Sequence, residues 1–448
     1  MNFSQVYKSH VKPLLVLGMP IVGSNLAMVL IGFTDVVMLG WYSVEALAAQ
    51  VLANSFFFVV FLVGSGFGWA VMPMVATHSE AGEIAEIRRV TRMGLWVSVA
   101  YGLVFLPLLL SGRFIFTVTG QEQALIPLAE DYLDIVAWAL FPALWVMVLR
   151  SYLAGLERTQ ILLWVTIGAA VMNVGLNYVL IFGNFGAPEL GVKGAAYASL
   201  IVNIVSFAGL AIYVRIVEPG HRLFQRLWRV DVGALRRVVG LGLPICLTTF
   251  SETAMFTASA VMIGWLGTIP LAAHGIALQL ASLTFVVHLG LSNAATVRTG
   301  RAFKRQDMGE LQISGASAVV LSLGMSIVAI IAFVTMPELL GGFFIGPHET
   351  AREEILVVVT ALLLMAAVFQ TFDGLQVIAL GLLRGLHDTT VPMVYAGISY
   401  LALGLPAGYI FGFWFGYGAV GVWAGLVVGL AIASALLLGR FWLKVRKP

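Results

Sequence analysis

The sequence predicts an all-α integral membrane protein of twelve transmembrane helices arranged as two pseudo-symmetric six-helix lobes. Three observations carry this reading. Hydrophobic residues make up 60% of the 448 and charged residues only 10%, against about 25% charged in a soluble domain. The mean hydropathy is +0.98. The chain also repeats itself: Gly18–Gln50 aligns without a gap on Gly242–His274, at an offset of 224 residues, half the chain. Gly18/Gly242, Pro20/Pro244, Met38/Met262, Gly40/Gly264, Trp41/Trp265 and Leu47-Ala48-Ala49/Leu271-Ala272-Ala273 coincide, and Leu153-Ala154-Gly155-Leu156 is echoed by Leu383-Arg384-Gly385-Leu386. The scaffold is repeated but its charges are not: Asp35 faces Ser259 in the alignment, and Glu252 faces Met28.

Apolar segments of about 20 residues suit a hydrocarbon layer about 30 Å thick. Twelve are read, at 14–38, 48–75, 92–111, 129–153, 161–183, 190–216, 236–262, 270–297, 312–335, 354–382, 391–413 and 417–440. The first follows Lys8 and Lys12 as a signal peptide would, but the same segment recurs at 242, so residues 14–38 are expected to be a retained helix. Six spans per half is an even number. Both halves then enter from one side, as parallel repeats about an axis along the membrane normal. The lobes are assigned to 1–220 and 221–448.

The basic residues orient the chain. With the N-terminus in the cytoplasm, the segments 1–13, 76–91, 150–160, 217–235, 298–311, 383–390 and the tail lie inside. Counting residues at their ends, they hold 22 of the 25 Lys and Arg; Arg113, Lys193 and Arg352 fall outside. Both termini are therefore expected to be cytoplasmic. The net charge of +3 and pI near 9.0 come from these loops and do not point to nucleic acid. The 214–237 connection carries Arg215, Arg222, Arg226, Arg229, Arg236 and Arg237. It reads chiefly as a linker held inside by its charge, with anionic lipid headgroups as the functional alternative. The 336–353 loop, with Glu338, Pro347, His348 and Glu349, reads as a simple periplasmic connection. One cysteine, Cys246, leaves no disulfide framework and no cysteine-ligated metal site.

Acidic residues deep in a span are costly and usually functional. Three are read in span interiors: Asp35, Glu252 and Asp373. Asp131 and Asp134 fall near the outer end of the fourth span and read as interfacial. Pairing of the three with arginine is the structural alternative, disfavoured because no Arg or Lys is read deep in any span. Asn173 and Asn177, four apart, share a helix face. With Asp35 they form an oxygen-rich cluster, or else they are plain interhelical hydrogen-bond partners. Phe369, Asp373 and Gln376 follow i, i+4, i+7 spacing, and Glu252 and Gln279 are placed with them. A carboxylate in a low dielectric stays charged beside a cation or takes up a proton. Glu252 and Asp373 thus suit a proton or an alkali ion; the one metal considered is Na⁺ at that pair. His274 reads as a packed polar residue, with proton relay as the lesser alternative. Pro20 and Pro244 either shape the bundle or mark where spans 1 and 7 bend. The 16 Met and 28 Phe face lipid or core, and some suit an adaptable apolar cavity.

Four stretches together carry a family resemblance: G-F-T-D-V-V-M-L-G at 32–40, F-G-A-P-E-L-G-V-K-G at 185–194, A-A-H-G-I-A-L-Q at 272–279 and F-D-G-L-Q-V-I-A-L-G-L-L-R-G at 372–385. Across essentially its whole length the chain resembles the multidrug and toxic compound extrusion (MATE) transporters, in their NorM-like bacterial branch. The resemblance implies a MATE/MOP-type fold of two six-helix lobes in a bacterial inner membrane. It implies no enzyme activity and no cofactor, but export of small-molecule drugs and organic cations in exchange for H⁺ and/or Na⁺. Membrane lipids are the remaining partners, and a monomer is expected. By motif match the coupling-site residues fall at Asp35, Asn173, Asn177, Glu252 and Asp373. Phe369 stands where Na⁺-using relatives often have Tyr. A flippase-type exporter of a lipid-linked saccharide is the alternative, but it calls for basic residues in the cavity. An intramembrane enzyme is the other rival; no YD plus GxGD pair, HExxH or GxSxG motif occurs.

Overall fold

The structure, a computed structural model, describes residues 7–345 and 351–446. Twelve helices are long and apolar enough to cross a membrane. They are α1 (Lys12–Tyr42), α2 (Val44–Glu80), α3 (Ile84–Leu109), α4 (Ile126–Gly155), α5 (Gln160–Leu180), α6 (Val192–Val217), α7 (Val232–Gly264), α8 (Thr268–Lys304), α9 (Met308–Thr335), α10 (Arg352–Gly385), α11 (Thr390–Trp414) and α12 (Gly418–Arg446). No strand occurs among the described residues. Only helices satisfy every backbone group within their own segment, which is what a span through lipid requires.

All twelve predicted spans are helices, but several helices outrun them. α2 has 37 residues, about 55 Å at 1.5 Å per residue, well beyond the hydrocarbon layer. An apolar scan sees only the lipid-facing part, whereas the hydrogen-bond ladder continues through Thr77-His78-Ser79-Glu80. Ser43 alone separates α1 from α2, and its hydroxyl caps α2 by accepting the Ala46 N–H at 3.0 Å. In the basic connection, Asp231 caps α7 by accepting the Ala234 N–H at 3.0 Å. That bond, with Arg89 and Arg237 nearby, holds the Asp231 carboxyl below the usual range. A short helix, Pro337–Gly342, carries Glu338; Pro347, His348 and Glu349 lie outside the described residues.

By packing, the chain divides into two compact units, Gly23–Cys246 and Met1–Val22 with Leu247–Pro448. The divisions fall inside α1 and α7, just past Pro20 and Pro244, and not in the 214–237 connection. Glycine explains where. In one unit Gly290 of α8 lets Val22 approach so closely that a Cβ there would meet the Val22 side chain and nitrogen; in the other, a Cβ on Gly66 of α2 would lie 2.8 Å from Cys246 N. Gly66 and Gly290 are repeat equivalents, as are Val22 and Cys246.

Within each unit the packing repeats. α2 packs mainly on α4, and α8 on α10; α4 packs on α6, and α10 on α12. Gly155 sits 2.9 Å, by a virtual Cβ, from Met72 O and Val75, and Gly385 sits 2.7 Å from Thr299. After these glycines both helices end in the same turn. Glu157 (φ 62°) and His387 (φ 56°) take the left-handed conformation, and Arg158 N and Asp388 N close back on Leu153 O and Leu383 O. Asp388 then receives Arg440 from α12 at 2.6 and 3.2 Å and Lys444 at 2.7 Å. Burial opposes ionisation there, but these bonds outweigh it and hold Asp388 below the usual carboxylate range.

Predicted as one regular span, α11 contains two wide π-helical stretches, Ile398–Gly404 and Ile410–Trp414. It lies against α12 through Gly404, Gly408, Gly425 and Gly429, where a Cβ on Gly425 would meet the Gly408 backbone. Such insertions re-aim side chains and concentrate at functional sites.

Candidate functional site

In the unit Gly23–Cys246, one carboxylate is met by neutral donors. Asp35 on α1 is 5% exposed, and Asn173 and Asn177 on α5 are fully buried. Their i, i+4 spacing turns both amides to one face, as expected from the sequence. Asn173 Nδ2 and Asn177 Nδ2 donate to Asp35 Oδ1 at 3.0 and 2.6 Å, and Asn177 Nδ2 also donates to Asn173 Oδ1 at 3.2 Å. Ser199 Oγ of α6 donates to Asp35 Oδ2 at 3.3 Å. Tyr132 of α4 lies beside Asp35, Gln50 and Ser199. The Asn177 Oδ1 and Gln50 Oε1 atoms are buried without a hydrogen bond. Unpaired carbonyl lone pairs near a buried carboxylate suit a positively charged guest, a proton or a small cation, and not an anion.

Ser199 also lines a cavity of about 150 Å³, with Met28, Thr166, Asn203 and Arg150. Arg150 is only 9% exposed. It donates to Ser24 Oγ at 2.7 Å, Thr166 Oγ1 at 3.1 Å and Asn25 Oδ1 at 2.9 Å.

In the unit Met1–Val22 with Leu247–Pro448, Phe369, Asp373 and Gln376 line one buried face of α10 at 2%, 3% and 0% exposure. Glu252 of α7 is partly buried and interacts electrostatically with Asp373 and with Arg384. Tyr400, aimed from the π-helical part of α11, neighbours Glu252, Asp373, Arg384 and Gln376. Asp373 Oδ1, both Gln376 amide atoms, Tyr400 OH and Ser399 Oγ are buried without a hydrogen bond. Buried polar atoms are nearly always satisfied; here four of them, on Asp373, Gln376 and Tyr400, belong to residues that neighbour one another.

Phe369 packs edge-on against Trp423 at 5.3 Å and Phe256 at 6.0 Å. Trp423 Nε1 in turn donates to His274 Nδ1 at 3.0 Å. His274 thereby holds Trp423 behind the Phe369 ring, while its Nε2 is buried without a hydrogen bond.

Two expectations are corrected. Gln279 is exposed and makes no side-chain hydrogen bond among the described residues to Glu252 or Asp373. On α8 the inward face is set by His274, Ala277, Ala281 and Thr284, and Gln279 falls on the other side. Arginines do lie within the bundle: Arg150 and Arg384 are each only 9% exposed. Both sit in the last turns of helices that run on past the apolar stretch, so a loop count takes them for topology signals. The residues missed by the sequence reading are Tyr132, Gln50 and Ser199 at the first cluster and Arg384, Tyr400 and Trp423 at the second.

A twelve-helix membrane protein whose buried carboxylates are served by amides, hydroxyls and one arginine is built as a transporter. The MatE family model matches residues 20–179 and 244–410, beginning at Pro20 and again at its repeat equivalent, Pro244. The "Probable multidrug resistance protein NorM" of Rhizobium meliloti (strain 1021) is 43% identical over 443 residues, covering 98% of this chain and 95% of its own. That of Agrobacterium fabrum (strain C58) is 43% identical over 441 residues, with the same coverage. The eukaryotic MATE transporter AtDTX14 superposes with a TM-score of 0.87 at 18% identity, covering 99% of this chain and 97% of its own; this shows a shared fold. The chain belongs to the MatE family, and with it to the transporters and not to the enzymes.

Proposed function

We infer that this protein is a multidrug efflux transporter that exchanges cationic and amphipathic compounds for H⁺ and/or Na⁺, working as a monomer by alternating access. The inference extends to a bacterial inner membrane with both termini in the cytoplasm, on the strength of the 20 of 25 basic residues left in the inside segments once the buried Arg150 and Arg384 are set aside. The observation that carries the exchange is the second cluster: Asp373, 3% exposed, with Oδ1 free of hydrogen bonds, coupled to Glu252. One arginine cannot neutralise two carboxylates, so binding of a cation or proton changes the charge of the cluster and with it the state the lobe prefers. The multidrug substrate class follows the names of the two relatives at 43% identity. The saccharide-exporter reading is not favoured, because the guanidinium of Arg150 is already engaged by Ser24, Asn25 and Thr166.

Protons suffice as driver, with Na⁺ as a second one. Phe369 offers a hydrocarbon ring where an oxygen would complete a Na⁺ shell, and an under-coordinated, desolvated ion binds poorly. A proton needs only a carboxylate and a path to water. The test is ethidium efflux from proteoliposomes under a pH gradient without Na⁺, then under a Na⁺ gradient alone. Efflux that vanishes without Na⁺ at every pH overturns proton coupling. Phe369→Tyr is expected to raise apparent Na⁺ affinity while leaving proton-driven efflux in place.

A further inference from the structure

A cavity lined mostly by arginines lies away from both carboxylate clusters, within the unit Gly23–Cys246. It encloses about 540 Å³ between the first turns of α3 and the connection from α6 to α7. Arg88, Arg89 and Arg92 line it from α3, and Arg222, Arg226 and Arg229 from the connection. Arg88 and Arg92, four apart on α3, share a helix face, and Arg222, Arg226 and Arg229 reach the cavity from the turns of the connection, so guanidinium groups line both walls.

The wall is fixed, not loose. Arg92 donates to Leu223 O at 2.7 Å and Arg222 O at 2.9 Å, Trp96 Nε1 donates to Leu227 O at 2.7 Å, and Asp231 N reaches Met93 Sδ at 3.3 Å. Arg222 and Arg226 themselves stand at φ 46° and 53°, a conformation costly for any residue with a Cβ.

The nearby carboxylates are already committed. Glu86 pairs with Arg89 and Arg237, and Asp231 pairs with Arg89 while capping α7. Among the described residues this leaves Arg88, Arg222, Arg226 and Arg229 without an ion pair. Arg88 and Arg226 also act with like charge on Arg92. Holding a loop on one side of a membrane needs basic residues in number; it does not need them strained, convergent and facing a common cavity. Guanidinium forks match phosphate oxygens two at a time, and the volume exceeds what one phosphate fills.

We propose that this cavity is a binding site for a diphosphate-bearing anion. Two sources share that chemistry: a membrane lipid whose headgroup carries two phosphates, and a soluble diphosphate. Trp228, 77% exposed beside the cavity, favours the lipid, since tryptophan partitions to the headgroup layer. The proposal is independent of the coupling ion.

The purified full-length protein in neutral detergent is titrated with cardiolipin, with phosphatidylcholine, and in a separate arm with inorganic pyrophosphate. Saturable binding of cardiolipin alone assigns the lipid; saturable binding of pyrophosphate assigns the soluble anion; either supports the site. Each arginine removed is expected to weaken binding about fivefold, so Arg222→Gln with Arg226→Gln loses about 25-fold, with Arg236→Gln, outside the cavity, as control. Arg222→Gly with Arg226→Gly serves as the fold control, because glycine accepts the left-handed backbone: its melting temperature holds while binding falls. No saturable binding by any probe, or equal losses in the Arg236 variant and the cavity variants, overturns the proposal.

Discussion

At the scale of single residues, the two carboxylate clusters differ in what surrounds them, and so in what removing the charge does. Asp373→Asn and Glu252→Gln keep shape and delete charge. Each is expected to cut drug efflux by about tenfold or more, the equivalent of about 1.4 kcal/mol, while the protein still inserts and keeps its melting temperature. Full efflux by both variants in proteoliposomes refutes a coupling role. Asp35 sits among donors: two amide N–H groups share its Oδ1, and a hydroxyl reaches Oδ2. Asp35→Asn turns one acceptor into a donor that faces Ser199, so it is expected to impair export even with the second cluster intact. Separate binding isotherms for drug and cation then show which ligand Asp35 serves: loss of drug binding alone, with cation binding kept, makes it a drug-site residue. The three acids and the asparagine pair were legible beforehand because charge inside an apolar run stands out in one dimension. Tyr400, Tyr132 and Arg384 were not, because tyrosine and a helix-end arginine are ordinary in membrane sequences, and only packing shows where they point.

At the scale of helices, every span was legible, since twenty apolar residues in a row leave the chain little choice. Where a helix stops being straight was not. The π-helical stretches of α11 lie where glycines bring it close to α12, and the partner of Gly290 lies on a helix from the other end of the chain. Gln279 was misplaced for the same reason: on an all-apolar helix the polar face cannot be read from hydrophobic period, and His274 sets it instead. The glycine contact is testable. Gly290→Ala drives a methyl into Val22 and is expected to cost about 1–3 kcal/mol, seen as a lower melting temperature in detergent. Gly32→Ala, on α1 with nothing within 4 Å of the new methyl, is expected to leave melting unchanged. Equal melting of the two variants rules out a tight α1–α8 seam.

At the scale of the whole chain, the repeat was plain in the sequence, but the packing boundary inside α1 and α7 was not. An offset of 224 aligns residues; it says nothing of which copy a given turn of helix joins. Chain segments 1–220 and 221–448 made separately should therefore each lack part of a unit. Co-expressed, they are expected to restore efflux, whereas each alone is expected to be degraded; a stable, monodisperse 221–448 fragment contradicts this. The close contact of Val22 with Gly290 also has a cost in time. At about 5–20 residues per second, a ribosome finishes Val22 roughly 10–50 s before the glycine it rests on exists. For that interval the first turns of the protein stand in the bilayer without their lasting neighbour, and the insertion machinery or surrounding lipid has to shelter them until the eighth helix arrives.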